Sequence, residues 1–101
     1  MRAETDRRRA EDTDLAESLE PRAKVFVHND SVTPYDFVII ALVKFFNLDP
    51  HRAELVTLTA HTSGISLVAV LPLGDARKKV GRAQFAASLE GYPLMFTIEP
   101  E

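Results

Sequence analysis

The sequence that decides the fold is KVFVHNDSVTP, at residues 24–34. Apolar and polar residues alternate over residues 24–28, which is typical of a half-buried strand. Asn29 and Asp30 follow at once, so we expect them in a sharp turn between this strand and the helical pattern that comes next. Polar side chains held between two regular elements are suited to recognising a small charged group.

The composition around this stretch fits one globular domain. The 101 residues can bury a single modest core, and 46% of them are hydrophobic and 27% charged. The net charge of -3 argues against nucleic acid as the main partner, because phosphate binding usually needs a basic face. No apolar run is long enough to span a membrane, so we expect no membrane partner. The absence of cysteine excludes a thiolate metal site and fits a reducing, cytoplasmic location.

The N-terminal part of the chain differs from the rest. More than half of residues 1–22 are charged, and their few apolar side chains, Leu15, Ala16 and Leu19, allow at most one or two weakly amphipathic helical turns. Such a composition is typical of a solvated segment without a core. We therefore predict a flexible charged extension at residues 1–22 and a compact core domain at residues 23–101.

The first predicted helix covers about residues 34–46. Thr33 is predicted to be its capping residue, with Pro34 in its first turn and Asn47 at its end. Apolar residues recur at helical spacing and predict its buried face. They are Val38, Leu42, Phe45 and Phe46.

Two further helices and two further strands complete the pattern. A helix is predicted at residues 50–61 with Leu55 and Leu58 facing inward, and another runs from a cap at Asp75 to residue 90. Strands are predicted at about residues 65–71 and 94–98. The third helix should bury Val80, Ala83 and Ala87. The order β-α-α-β-α-β predicts an α+β fold, a small three-stranded antiparallel sheet with three helices packed on one face.

These residues resemble the ClpS adaptor family. The resemblance covers Ala23 to Glu99, and its most diagnostic parts are the N-D-x-x-T-P turn and a histidine three residues before a glycine. The matching segments, in order, are KVFVHNDSVTPYDFV at 24–38, FF at 45–46, AHTSG at 60–64, KV at 79–80 and PLMFTIE at 93–99.

The resemblance implies a non-catalytic adaptor that needs neither cofactor nor metal. Members of the family recognise proteins that begin with a destabilising residue, usually Leu, Phe, Tyr or Trp. They deliver these N-degron substrates to a Clp AAA+ unfoldase and its protease, docking on the unfoldase N-terminal domain of the ClpA or ClpC type. The N-terminal extension is implied to help engage the unfoldase.

Carried over by position, the resemblance implies two subsites. Asn29, Asp30 and His61 match residues around the substrate's α-amino group, which at neutral pH is mostly a cation with three donors. Lys79 matches a lysine of the unfoldase-docking surface. The residues that match the hydrophobic side-chain pocket are Thr33, Tyr35, Val38, Thr57, Ala60 and Leu94.

The chain departs from the family pattern at several of these places. Ser31 stands where a second acid commonly follows N-D, and Tyr35 stands where methionine is frequent at the pocket mouth. Thr57 and Ala60 replace larger side chains deeper in. Before and in the third helix, Gly74 and Arg77 stand where glutamate is frequent.

Each candidate residue also has a purely structural interpretation. Asn29 and Asp30 are common turn formers, His61 suits a helix C-terminus, and Thr57 and Ala60 are often small core residues. His28 and His51 have no partner at a metal-ligand spacing and are predicted at the surface.

Two other classes of function stay open at this point. An enzyme could use His61 as a general base oriented by Asp30, although the sequence shows no nucleophile at a recognisable spacing. A non-catalytic interaction module of similar fold would not need these residues to converge.

Overall fold

The central strand of the sheet comes directly before the polar turn. A computed structural model describes residues 20–101, and in it β1, at Arg22–His28, pairs antiparallel with both β2, at Ile65–Pro72, and β3, at Met95–Pro100. The sheet order is therefore β2-β1-β3. The buried residues of β1 alternate along the strand, as predicted, and are Ala23, Val25 and Val27.

The register of β1 against β2 changes once. Val25 pairs with Ala69 whereas Phe26 pairs with Leu67, so Val68 is an extra residue on β2 and forms a β-bulge. Val68 is buried. Ser66, the residue of β2 that pairs with Val27, is buried as well.

Three helices pack on one face of this sheet, as the sequence predicts. They are α1 at Tyr35–Phe46, α2 at Pro50–Ser63 and α3 at Leu73–Leu89. Helix α1 buries Leu42 and Phe46, while Val38 and Phe45 are half-buried against the core. The rings of Phe46 and Phe96 lie 5.1 Å apart and join α1 to β3. The predicted inward face of α3 is confirmed, because its buried residues are Ala76, Val80, Ala83 and Ala87.

The prediction that Thr33 caps α1 is wrong. The helix begins at Tyr35 with Pro34 as its N-cap, and no side chain caps it. Thr33 donates both its backbone N–H and its hydroxyl to Asp30, so it belongs to the preceding turn. The predicted end is confirmed, since Asn47 adopts a left-handed conformation with φ of 56°.

The prediction that Leu55 and Leu58 face inward is also wrong. Their side chains are 48% and 46% exposed. The buried side of α2 is made of small residues at helical spacing instead, namely Ala53, Val56, Thr57 and Ala60. Small side chains allow α2 to lie close to α1 and β2, and the larger leucines are left on the outer side.

Helix α3 begins two residues before the predicted cap at Asp75. Its first two backbone N–H groups donate hydrogen bonds to residues that lie far away in the sequence. The Leu73 N–H donates to the Pro21 carbonyl at 2.8 Å and the Gly74 N–H to Glu20 Oε1 at 2.7 Å. Asp75 lies in the first turn, where an acid interacts favourably with the helix dipole.

The boundary of the core is set by these contacts. Glu20 and Pro21 hold the start of α3, and Arg22, predicted as the last residue of the extension, is the first residue of β1. The rest of the predicted extension, residues 1–19, lies outside the described residues.

Candidate functional site

The polar turn after β1 meets the C-terminal end of α2. Gly64 ends α2 in a left-handed conformation with φ of 89°, and its carbonyl accepts a hydrogen bond of 2.9 Å from the Asn29 N–H. This bond fixes the first residue after the central strand against the junction of α2 and β2. His61, in the last turn of α2, is thereby brought to the same end of the sheet as Asn29 and Asp30.

Asp30 organises the turn. Its Oδ1 accepts from the Val32 N–H at 2.8 Å and from the Thr33 N–H at 2.6 Å, and its Oδ2 accepts from the Thr33 hydroxyl at 2.8 Å. Asp30 therefore does stabilise the turn, as its purely structural interpretation predicts. A carboxylate has about four lone-pair positions, so one on Oδ2 is left for a further donor.

The same hydrogen bonds keep Asp30 ionised. Burial raises the pKa of Asp30, but the bonds from the Thr33 N–H, the Val32 N–H and the Thr33 hydroxyl together lower it by more. The pKa of this carboxyl therefore lies below its ordinary value of 3.8. A negative charge stays in the turn at all pH values near neutrality.

This lowered pKa predicts a pH-dependent contribution to stability. Because folding favours the ionised form, Asp30 should stabilise the folded state above pH 3.8, and the contribution should disappear as the pH falls through the lowered pKa. We expect Asp30→Asn to lower the free energy of unfolding at about pH 6, and the difference from the parent should shrink as the pH falls below 3.8 and through the lowered pKa. Urea unfolding at several pH values measures this, and a difference that stays constant over the range contradicts it.

A cavity of about 200 Å³ opens between the turn, α1 and the end of α2. Its lining residues are Val27, His28, Asn29, Asp30, Ser31, Thr33, Tyr35, Val38, Thr57, Ala60 and His61.

One side of the cavity is apolar. Val38 on α1 and the buried Thr57 and Ala60 on α2 form it. The Thr57 hydroxyl already donates to the Ala53 carbonyl at 2.8 Å, so its one donor is used within the helix. Only small side chains come from α2 here, which leaves room that larger residues would fill.

The other side of the cavity is polar and contains hydrogen-bond acceptors that no described residue uses. Tyr35 stands edge-on to His61, with ring centroids 5.8 Å apart and an interplanar angle of 89°. Within residues 20–101, neither the Asn29 side-chain amide nor the His61 ring makes a hydrogen bond. Both groups are therefore available to a ligand as far as the described chain is concerned.

The charge of the cavity is one-sided. Among the lining residues within the described part of the chain, Asp30 is the one carboxylate, and none is lysine or arginine. An ionised acid, an amide carbonyl and an imidazole nitrogen at one end, with an apolar wall at the other, suit a ligand that carries a cation next to an apolar group.

The structure brings together eight of the nine predicted ligand-contacting residues and leaves one out. Leu94 is buried in the hydrophobic core and is not among the lining residues. It lies just before β3, and the strand pattern alone did not reveal its burial. Lys79 is half-buried on α3 and is likewise not a lining residue.

Sequence reasoning missed three lining residues, Val27, His28 and Ser31. Val27 was readable as the last buried position of an alternating strand. His28, predicted at the surface, is partly buried, and its Nε2 lies 2.8 Å from the Thr97 hydroxyl oxygen. Nothing in the sequence brings the Thr97 side chain to His28, because the two belong to strands far apart in the chain.

The described part of the chain contains neither a candidate metal site nor a candidate membrane-spanning helix. Among residues 20–101, no group of three or more His, Cys, Asp or Glu side chains is arranged to hold a metal ion. The helices described here include none with the length and apolar character needed to cross a membrane.

Comparison with known proteins identifies the family. The sequence model described as "ATP-dependent Clp protease adaptor protein ClpS" matches residues 18–97. The chain belongs to the ClpS family. This confirms the resemblance drawn from the N-D-x-x-T-P turn and the histidine before Gly64, and it makes the chain a member of an adaptor family of the Clp protease.

Individual relatives agree with the ClpS assignment. The chain is 42% identical over 78 residues to ATP-dependent Clp protease adapter protein ClpS 2 of Mesorhizobium japonicum, covering 77% of each chain. It is 40% identical over 92 residues to the ClpS protein of Cronobacter sakazakii, covering 89% of this chain and 86% of that one.

A solved structure shares the fold. It is that of Agrobacterium tumefaciens ClpS2 bound to L-phenylalaninamide, with a TM-score of 0.77 and 35% sequence identity. The match covers 81% of this chain and 99% of the other.

Proposed function

We propose that this ClpS protein binds the N-terminal residue of substrate proteins in the cavity beside Asp30 and delivers those proteins to a Clp AAA+ unfoldase. The observation that carries the proposal is the cavity itself, which joins one ionised acid and two available acceptors to an apolar wall. A protein N-terminus that begins with a hydrophobic residue has this same combination of a cation and an apolar side chain.

The polar end of the cavity suits the α-amino group. An α-ammonium carries three donors, and its ordinary pKa of about 7.7–8.0 keeps it mostly charged at neutral pH. In the proposed arrangement the free lone-pair position on Asp30, the Asn29 carbonyl and a His61 ring nitrogen accept these donors. Ser31 adds no second charge, so the electrostatic attraction rests on Asp30.

The apolar end suits an aromatic or large aliphatic side chain. An engineered apolar cavity of about 150 Å³ binds benzene, so a cavity of about 200 Å³ has room for a phenyl ring. The ligand of the Agrobacterium protein supports this, because L-phenylalaninamide has the free α-amino group and the side chain of an N-terminal phenylalanine.

The proposal is tested by titration with fluorescent peptides that differ only in the first residue. Peptides beginning with Phe or Leu should bind, and a peptide beginning with Asp should not. Acetylating the α-amino group of the Phe peptide should abolish binding, because it removes the positive charge and two donors that Asp30, Asn29 and His61 are proposed to accept.

Two outcomes of this titration contradict the proposal. Equal binding of acetylated and free peptides would indicate an interaction module that does not read the N-terminus. Release of the first residue during the incubation would indicate an enzyme.

Delivery is a separate step and has a test of its own. We propose that Lys79 on α3 contacts the unfoldase, and Lys79→Glu should then slow the degradation of a Phe-starting reporter by a Clp unfoldase and its protease without changing peptide affinity. Arg52→Glu, an equal charge change on the exposed start of α2, serves as control and should leave the rate unchanged. Equal rates for the parent and the Lys79 variant contradict the assignment.

A further inference from the structure

The outward side of α3 changes character along its length. At about 100° per residue, Gly74, Lys78, Arg82, Phe85 and Leu89 fall on one side of the helix, opposite its buried residues. We call Lys78, Arg82, Phe85 and Leu89 the outer stripe of α3. Its first half is basic and exposed, and its second half is apolar, with Phe85 65% and Leu89 71% exposed.

The apolar half of the outer stripe continues onto α1. Ile40, 59% exposed, lines a groove of about 230 Å³ between α1 and α3 together with Leu89. Single exposed apolar side chains are ordinary, but neighbouring ones on a small protein mark a surface that contacts something else.

The basic half is equally unusual. Arg77, Lys78, Lys79 and Arg82 lie within six residues of α3, and like charges four residues apart on a helix, such as Lys78 and Arg82, repel each other. Within residues 20–101 the recorded ion pair joins Arg22 and Glu101, so none of these four side chains is paired with a described residue. An acidic partner on this side would relieve the repulsion.

Glu20 contacts α3 at the N-terminal end of the outer stripe. Glu20 Oε1 accepts from the Gly74 N–H, and a Cβ atom at position 74 would stand only 2.7 Å from that oxygen. Gly74 lies on the same side of α3 as the outer stripe. The chain before Glu20 is therefore tethered next to the N-terminal end of the stripe.

The sequence of those residues complements the stripe. Residues 11–19, EDTDLAESL, contain four acids, no basic residue and two leucines. Glu17 matches Lys78 and Arg82 in charge, and Leu15 matches the apolar half of the stripe.

The lengths also agree. The five residue-to-residue steps from Leu15 to Glu20 span up to about 17 Å when extended, and the eleven steps from Gly74 to Phe85 span about 16 Å along α3. Leu15 can therefore reach Phe85 while the acidic Glu17 passes over the basic half.

We propose that residues 11–19 dock along the outer stripe of α3 of the same chain. A second copy fits less well, because a stable dimer buries about 800 Å² per partner and the apolar part of this surface is formed by three exposed side chains, Ile40, Phe85 and Leu89. Docking of this segment would hold the extension against the core and leave the cavity beside Asp30 open.

The absence of cysteine makes a direct test possible, since Thr13→Cys in the full chain carries a nitroxide label at a unique position. In a ¹⁵N-labelled sample, the amide signals of Phe85 and Leu89 should lose most of their intensity relative to the reduced label. Signals of Glu54 and Leu58 on α2 should keep theirs. Phe85→Ser should restore the lost intensity, and the matched Leu58→Ser should not.

Two outcomes overturn the proposal. No selective loss on α3 means that residues 11–19 do not dock there. Loss that occurs when label and ¹⁵N are on different molecules, and is absent when the labelled chain is diluted, means that a second copy covers the stripe.

Discussion

Replacing Asp30 with alanine is expected to weaken the binding of a Phe-starting peptide by about 1–3 kcal/mol, or from about fivefold to about 150-fold. The proposed reason is the loss of the one charge that faces the α-ammonium. The turn also loses three hydrogen bonds in this variant, so the protein should become less stable as well.

Further variants separate the two effects. Asp30→Asn keeps an acceptor for the Val32 and Thr33 N–H groups but removes the charge, so it should lose affinity with a smaller loss of stability. Asp49→Ala removes the side-chain cap of α2, which accepts from the Arg52 N–H at 3.0 Å, and should lower stability by about 1 kcal/mol without changing affinity.

His61 provides an independent check at the same subsite. His61→Ala should reduce affinity by a similar amount, whereas His61→Gln retains an acceptor and should recover part of it. Peptide affinity that survives both Asp30→Ala and His61→Ala would show that the α-amino group is bound elsewhere.

The second large effect is expected in side-chain preference. Peptides that start with Phe should bind more tightly than those that start with Leu by about 1 kcal/mol, because Thr57 and Ala60 leave space that an aromatic ring fills. Ile and Val should be rejected, since they are branched next to the backbone, where we propose that Tyr35 narrows the entrance.

Changing the volume of the cavity tests this directly. Ala60→Val adds two carbons to the apolar wall and should shift the preference from Phe toward Leu. Thr59→Val is the matched control on the exposed side of α2 and should leave the ratio unchanged. Fluorescence anisotropy with the four peptides measures the ratios, and a parent protein that prefers Leu to Phe contradicts the prediction.

Local sequence signals predicted those parts of the fold that depend on neighbours in the chain. The alternation of β1, the left-handed Asn47 and the small inward residues of α3 were readable for this reason. The start of α3 was not readable from local signals. Its first backbone N–H groups donate to Glu20 and Pro21, which lie more than fifty residues earlier in the chain.

The error in α2 has a physical cause. Leu55 and Leu58 are the larger apolar residues of α2, and size favoured them as its inward face, yet close packing required Ala53, Val56, Thr57 and Ala60 there. The side-chain pocket was assigned through the family resemblance. Leu94 was assigned to the pocket in the same way, and the structure places it in the hydrophobic core.

The hydrogen bond from the Asn29 N–H to the Gly64 carbonyl makes the candidate site part of the cooperative unit of the fold. That amide can exchange with deuterated water only when the α2–β2 junction separates from the end of the central strand. We therefore expect this bond to couple opening of the site to opening of the sheet. The site's ability to bind peptide should be lost together with the sheet in one unfolding transition, and ligands should find it already formed.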